Sequence, residues 1–331
     1  MIITKTPLRL SFVGGGSDMK AFYVKKNGMV LCSAIDKFVY AIVKERFDDM
    51  IYINYSEKEC ADHVDKIQHD LVREAMKMAG VSKGIEITTL ADIPSTGSGL
   101  GSSSSITVAL LHALYTYQNI LVTAERLAMD ACRIEIDILK KPIGRQDQYA
   151  AAFGGVNQFT FSPTKTTKRT PVKMGSSAKR KFASSLLLYY TGISRSADKI
   201  LSNQEKNLLS GKKFKTMEKM VSLVEPFKKA LKKEDIKECG MLMDLNWKLK
   251  QQMATDISNT KIQKMYNMAK NAGALAGKIA GAGGGGFLLF IVLREKQNAV
   301  FSALKEYREL PFMLEESGSK VIFDDRAYSS K

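Results

Sequence analysis

The chain has 331 residues, of which 45% are hydrophobic and 25% charged, so it can bury a sizeable core and is not expected to be chiefly disordered. Lysines and arginines number 50 against 34 aspartates and glutamates, a formal net charge of +16 that suits an anionic partner: nucleic acid, an anionic membrane or a phosphorylated small molecule. No apolar run reaches the roughly 18 residues of a membrane-spanning helix, and roughly 100–200 residues per domain leaves room for two domains. The N-terminal segment lacks the order of a signal peptide, and Cys32, Cys60, Cys132 and Cys239 show no C-x-x-C spacing. A reducing, cytoplasmic setting without a disulfide framework or zinc site is therefore expected.

In chain order, 8–13 reads as a strand running into Gly14–Gly16. Strand-like segments at 29–35, 38–45 and 50–54 suggest an antiparallel meander. A helix over 62–79 should end at Gly80, followed by a strand at 85–90. A glycine- and serine-rich loop, 94–105, leads into a buried helix over 106–117, and 123–139 reads as an amphipathic helix. Strands are expected at 155–161 and 185–191. Between them 165–181 carries seven basic residues and no acidic one, and a domain boundary is placed near its start. Helices should fill 196–272. A second glycine run, 281–286, precedes a strand at 287–293, then a helix at 296–309 and a strand at 320–323. Blocks of strands and of helices argue an α+β fold rather than a doubly wound parallel sheet. The expected domains are 1–165 and 166–331.

Four consecutive serines at a helix start are poor for helix propensity but useful if N–H groups and hydroxyls are needed there. A helix N-terminus offers unpaired donors and a partial positive charge to phosphate. Gly97, Gly99 and Gly101 let the backbone close around the anion, and a first-turn serine hydroxyl can ligate Mg²⁺ bridging two phosphates. The segment is neither a Walker A loop nor G-x-G-x-x-G; a flexible loop with serine caps is the plain alternative. Glu135, on the second helix, and Asp147, in the following segment KPIGRQDQYAAAFGG, could face one cleft, because Pro142 and Gly144 break the helix between them. One would hold Mg²⁺ and the other orient or deprotonate a hydroxyl, the division phosphoryl transfer requires. His63, His69 and His112 read as surface or core residues, so the base is not expected to be histidine. The run at 280–286 could line a nucleotide or simply cap a helix.

Taken together, PLRLSFVGGGSD (7–18), PSTGSGLGSSSS (94–105) and AGAGGGGF (280–287) resemble, in order and spacing, the kinase family named for galactokinase, homoserine kinase, mevalonate kinase and phosphomevalonate kinase. The resemblance implies two α+β domains, the N-terminal one binding ATP, with ATP and acceptor in the cleft between them. It implies that Arg9 lies by the transferred phosphate, that Asp18 binds sugar hydroxyls, and that Asp147 is the catalytic aspartate. Glu135 is implied to hold Mg²⁺ together with Ser103 as first choice and Ser102 as second. Pro94, Thr96, Gly97, Ser98, Gly99, Leu100, Gly101, Ser102, Ser103 and Ser104 would then cradle the nucleotide. Gly15, Gly16, Gln146, Gly283 and Gly284 would serve the acceptor side. Galactokinases commonly have Glu-His where this chain has Gly15-Gly16, which weakens a galactose reading and leaves space for a larger sugar.

The wording of PLRLSFVGGGSD and GRQDQYAAAFGG is most similar to the bacterial D-glycero-D-manno-heptose 7-phosphate kinases. That implies formation of a 1,7-bisphosphate in nucleotide-activated heptose synthesis for surface glycans. A substrate phosphate needs a cation, and Arg195, just after a predicted strand, is the expected anchor. The lysine-rich segment 205–233 reads as a solvated face. The expected partners are a small sugar phosphate and, in a homodimer, a second copy of the chain; nucleic acid and membrane are not expected. The alternatives are a fucokinase-like free-sugar 1-kinase and a catalytically silent sugar- or nucleic-acid-binding homologue. Against the last, no helix-turn-helix, zinc or RNA-binding signature is present.

Overall fold

Alternating apolar residues make the first 45 residues into the centre of a sheet. Strand β1 (Ile2–Val13) lies antiparallel on β2 (Gly28–Glu45), with the short helix α1 (Lys20–Tyr23) between them. The segments 29–35 and 38–45 are one strand: the register shifts opposite Pro7 and Leu8, where Asp36 and Lys37 bulge out. Proline lacks the N–H a regular ladder would need, so the bulge falls there. The structure, a computed structural model, describes residues 1–94, 97–164, 166–194 and 197–326.

The expected meander does not form. Strands β3 (Ile51–Asn54) and β4 (Lys58–Ala61) are followed by helix α2 (Asp70–Ala79) and β5 (Ile85–Ala91). β5 inserts between β2 and β3, antiparallel to the first and parallel to the second. Helix α3 (Ser102–Tyr117) packs on β1 and β2, buried nearly all round, as its apolar sequence demands. Helix α4 (Ala124–Cys132) passes into a π-helical segment, Arg133–Ile138. The segment read as a loop around Asp147 is instead largely helix α5 (Gln146–Phe153). β6 (Val156–Phe161) pairs with β2, and β7 (Thr167–Pro171) with β6.

The second layer starts with α6 (Ser176–Ser184) and β8 (Leu186–Tyr190). The expected helical stretch resolves into α7 (Ala197–Leu209), α8 (Phe214–Ser222), α9 (Val224–Lys232), α10 (Ile236–Gln251) and α11 (Thr260–Asn271). Then come β9 (Ala276–Ile279), β10 (Phe287–Ile291), α12 (Gln297–Ala303) and β11 (Lys320–Asp324). A three-stranded antiparallel sheet, β8-β10-β9, backs these helices. β11 pairs antiparallel with β1, so both β7 and β11, although C-terminal to residue 165, belong to the larger sheet. One apolar core lies around α3 and the eight-stranded sheet, and another around Trp247, Met217 and Phe290. The fold is α+β. Among the described residues no helix is long and apolar enough to cross a membrane.

Candidate active site

Between the two layers lies a cleft of about 620 Å³, lined by Arg9, Asp18, Ser103, Glu135, Asp147 and Lys250 among others. One wall is the glycine–serine loop. Gly97, Gly99 and Gly101 hold φ of +71°, +73° and +80°, a region open to glycine and strained for other residues. Gly101 is the N-cap of α3, and among the described residues no side chain caps that helix, so no side-chain oxygen of those residues sits across its first-turn N–H groups. The serines divide. Ser102 Oγ pairs with Ser98 Oγ at 2.9 Å, and Ser105 donates to the Pro7 carbonyl at 2.9 Å. Ser102, Ser104 and Ser105 are buried and Ser103 is exposed. The second glycine run closes on this loop: a Cβ at Gly281 would stand 2.7 Å from Gly99 Cα.

Facing Ser103 is Glu135, on the π-helical turn, an irregularity that often marks functional positions. Its carboxylate is 0% exposed, accepting from Ser103 Oγ at 2.8 Å and from Gln148 Nε2 at 2.6 Å. Burial pushes its pKa up, opposed by the hydrogen bonds from Gln148, Ser103 and Ser104. Lys141 only acts from a distance, since its ammonium sits 3.7 Å from Asp70. A buried carboxylate and an exposed hydroxyl side by side, both hard oxygen donors without a cation of the protein beside them, fit a divalent cation such as Mg²⁺ that keeps waters and phosphate oxygens as further ligands.

Asp147 sits in the first turn of α5, where a carboxylate is favoured by the helix dipole. Arg9, 6% exposed, grips it in a two-pronged ion pair: Nε donates to Oδ1 at 2.7 Å and Nη2 donates to Oδ2. Its Nη1 donates to the Gly99 carbonyl at 2.6 Å. Burial opposes the Arg9 charge, but Asp147 outweighs it and the guanidinium pKa rises. Asp18 accepts from Gly16 N at 2.9 Å and Gln146 N at 3.1 Å, tying the first glycine loop to α5. Its pKa is raised, first by burial and then by Asp147. Gln146 accepts from Ser11 Oγ at 3.2 Å, and its buried Nε2 has no partner among the described residues.

The sequence-predicted residues Arg9, Gly15, Gly16, Asp18, Gly97, Ser98, Gly99, Gly101, Ser102, Ser103, Ser104, Glu135, Gln146 and Asp147 are thus gathered in one cleft. Others are not. Leu100 is a core residue whose carbonyl accepts from Arg9 N, and Pro94 is exposed away from the lining. Gly283 and Gly284 pack against Ile257 and Asn259, and residues 279–282 line the cleft in their place. Thr96 and Arg195 lie outside the described residues.

Sequence reasoning missed Gln148, Gln204, Asn246, Lys250 and Lys278. Lys278 had a visible signal, a lone charge in the small apolar segment AGKIAG that runs into the glycine loop. Lys250 falls on the buried face of α10 with Cys239, Met243 and Trp247, a helical phase that its lysine neighbours do not share.

Phosphoryl transfer is the chemistry for which this cleft is equipped, with a helix start open to phosphate, an acid poised for a cation and an acid held by arginine. Residues 63–155 match the family described as GHMP kinases N terminal domain, and residues 227–309 match GHMP kinases C terminal. The chain is 30% identical over 320 residues to D-glycero-alpha-D-manno-heptose 7-phosphate kinase of Campylobacter jejuni subsp. jejuni, covering 92% of this chain and 93% of that one. It is 27% identical to galactokinase of Pyrococcus furiosus, covering 92% of this chain and 93% of the relative. Among solved structures it is similar to a D-glycero-D-manno-heptose 1-phosphate kinase from Bacteroides thetaiotaomicron, with TM-score 0.81, 27% identity and coverage of 98% and 99%. The chain belongs to the GHMP kinases. Within that family it is an ATP-dependent sugar kinase.

Proposed function

We propose that this kinase transfers the γ-phosphoryl group of ATP to the anomeric hydroxyl of D-glycero-D-manno-heptose 7-phosphate, giving the 1,7-bisphosphate. The observation that carries the acceptor assignment is the acceptor end of the cleft. Gly15 and Gly16 leave it open, while Asp18 and the partnerless Nε2 of Gln146 supply polar atoms for sugar hydroxyls. The 30% identity to the Campylobacter heptose 7-phosphate kinase supports the same choice.

In this reading the triphosphate rests on the first turn of α3, with Gly97, Ser98, Gly99, Gly101, Ser102 and Ser104 shaping the cradle. Ser103 and Glu135 hold Mg²⁺, which supplies neutralisation of phosphate charge. Asp147 orients the acceptor hydroxyl and takes its proton as the oxygen attacks phosphorus and the bond to the β-phosphate oxygen breaks. Arg9 fixes the Asp147 carboxylate through two N–H groups and sets a positive charge beside the transferring group. Gln146 and Asp18 orient the sugar ring.

The test is an ADP-release assay over heptose 7-phosphate, heptose, fucose and galactose, with ³¹P NMR of the product. The reading expects the phosphosugar to have a kcat/KM at least roughly 100-fold above the free sugars, as a site built for a charged group discriminates. The product should show a new phosphorus on the anomeric carbon. Equal or better turnover of fucose or another free sugar would establish the fucokinase-like alternative instead.

A further inference from the structure

Two buried lysines face the cleft and have no task in the transfer just described. Lys250 on α10 is 7% exposed and Lys278 on β9 is 5% exposed. Among the described residues neither ammonium has a carboxylate at ion-pairing distance. Lys278 donates to the Ser11 carbonyl. Lys250 donates to Gln204 Oε1 at 2.7 Å and to the Gly15 carbonyl at 3.4 Å. An ammonium taken out of water without an anion costs several kcal/mol. Burial accordingly lowers the Lys250 pKa to about 8, with Asp18 working in the other direction, and lowers that of Lys278 to about 7, helped by Lys250 and Arg9.

The fold nevertheless places Lys250 with care. Gln204 is 0% exposed and gives its amide N–H to the Ala282 carbonyl at 3.2 Å, which turns its oxygen toward the ammonium. Asn246, one turn back on α10, accepts the N–H of Gly14 at 3.0 Å and locks the helix to the first glycine loop. Gln204 and Gly15 use two of the three N–H donors of Lys250, so one is left for a ligand. At Gly16 a Cβ would stand 3.3 Å from Lys250 Nζ, so a side chain there would crowd the ammonium. The two lysines have different neighbours. Lys278 lies near both Lys250 and Arg9, on the strand leading to Gly281 and the phosphate loop. Lys250 lies against Gly15, Gly16 and Asp18, the acceptor side.

We propose that Lys250, oriented by Gln204 and uncrowded because residue 16 is glycine, binds the phosphate monoester carried by the acceptor and makes the enzyme select phosphorylated over free sugar. The proposal rests on the phosphosugar reading above, and its test separates the two. Wild type, Lys250→Met and Lys250→Arg are compared in kcat and KM for heptose 7-phosphate, for heptose and for ATP. Loss of one charge-assisted contact should raise the heptose 7-phosphate KM of Lys250→Met roughly 10- to 100-fold. Its kcat and ATP KM should stay within about threefold, the pattern of lost uniform binding. The penalty on free heptose should be no more than about threefold, and Lys250→Arg should recover part of the loss. A melting temperature for Lys250→Met at or above that of wild type shows that the variant folds. If wild type prefers the phosphosugar but Lys250→Met loses equally on both acceptors, or loses nothing, the Lys250 assignment is overturned while the substrate reading stands. If wild type itself shows no preference for the phosphosugar, the substrate reading falls and the anchor falls with it.

Discussion

Replacing Glu135 by glutamine separates a site residue from a structural one by the sign of its effect on stability. The side chain is 0% exposed and accepts hydrogen bonds of 2.8 and 2.6 Å, with no lysine or arginine in ion-pair contact among the described residues. Each hydrogen bond to a charged group is worth about 1.5–3 kcal/mol, while taking an uncompensated carboxylate out of water costs several kcal/mol. Burial raises the carboxyl pKa, which means the charged form is the one the folded state disfavours. Glutamine keeps the shape and the acceptor for Ser103 and carries no charge, so Glu135→Gln should be more stable by about 1 kcal/mol, roughly 2 °C in melting temperature for a protein of this size. Turnover should fall at least about 100-fold, because the hard anionic donor for the cation is gone. Differential scanning fluorimetry without ligands and an ADP-release assay across a Mg²⁺ titration read both quantities on one preparation. A variant that melts lower and keeps its turnover and Mg²⁺ dependence would refute the reasoning and make Glu135 a structural carboxylate.

Asp147→Asn removes the carboxylate but keeps its shape against Arg9, and turnover is expected to drop roughly 10²- to 10⁴-fold with the ATP KM within about threefold; steady-state kinetics within a few-fold of wild type would count against Asp147 as the base. Gly281→Ala sets a methyl group 2.7 Å from Gly99 Cα and its carbonyl oxygen, so the two glycine loops must part. Overpacking of this kind costs about 1–3 kcal/mol, and calorimetric titration with ADP should show affinity weakened roughly tenfold; unchanged affinity would mean that the 281 contact does not shape the nucleotide wall. The acceptor kcat/KM should decline as pH rises between about 7 and 9. Burial lowers the Lys278 and Lys250 pKa values to about 7 and about 8, so their positive charges disappear over that window as protons leave. Lys278→Arg, whose guanidinium stays charged, should move the onset of the decline toward the higher value, and a wild-type profile flat to pH 9 would contradict it.

The local parts of the site were readable in the sequence because they are local. A glycine–serine loop at a helix start, a glutamate on the next helix and an aspartate after a Pro/Gly break need only short-range chemistry to stand out. Pairings between distant segments carried no such signal. Nothing in 50–54 or 85–90 says that the later strand slips between the earlier one and β2. β7, reading TKRTP, and β9, reading AGKI, lack the alternating apolar pattern of a strand, because one is an exposed hairpin arm and the other is buried throughout. The eight residues of α5 were hidden by the glycine and proline before them. Within the second glycine run composition does not set the phase, and residues 279–282 rather than Gly283 and Gly284 face the cleft. Lys250 was lost among surface lysines because only the turn of α10, not residue type, distinguishes it.

The return of the chain to its starting sheet makes the two halves nested rather than consecutive. The chain leaves that sheet after Pro171 and is stitched back by Met313 onto Asp36, Glu315 onto Ala34 and Ser319 onto Ala151 before β11 zips along β1 and Asp325 meets the terminal amine of Met1. The second lobe is therefore an excursion with both its feet on the same floor. Removing Lys320–Asp324 would strip the edge from β1, a strand that also carries Arg9, so damage more than 300 residues along the chain would be felt where the phosphoryl group moves.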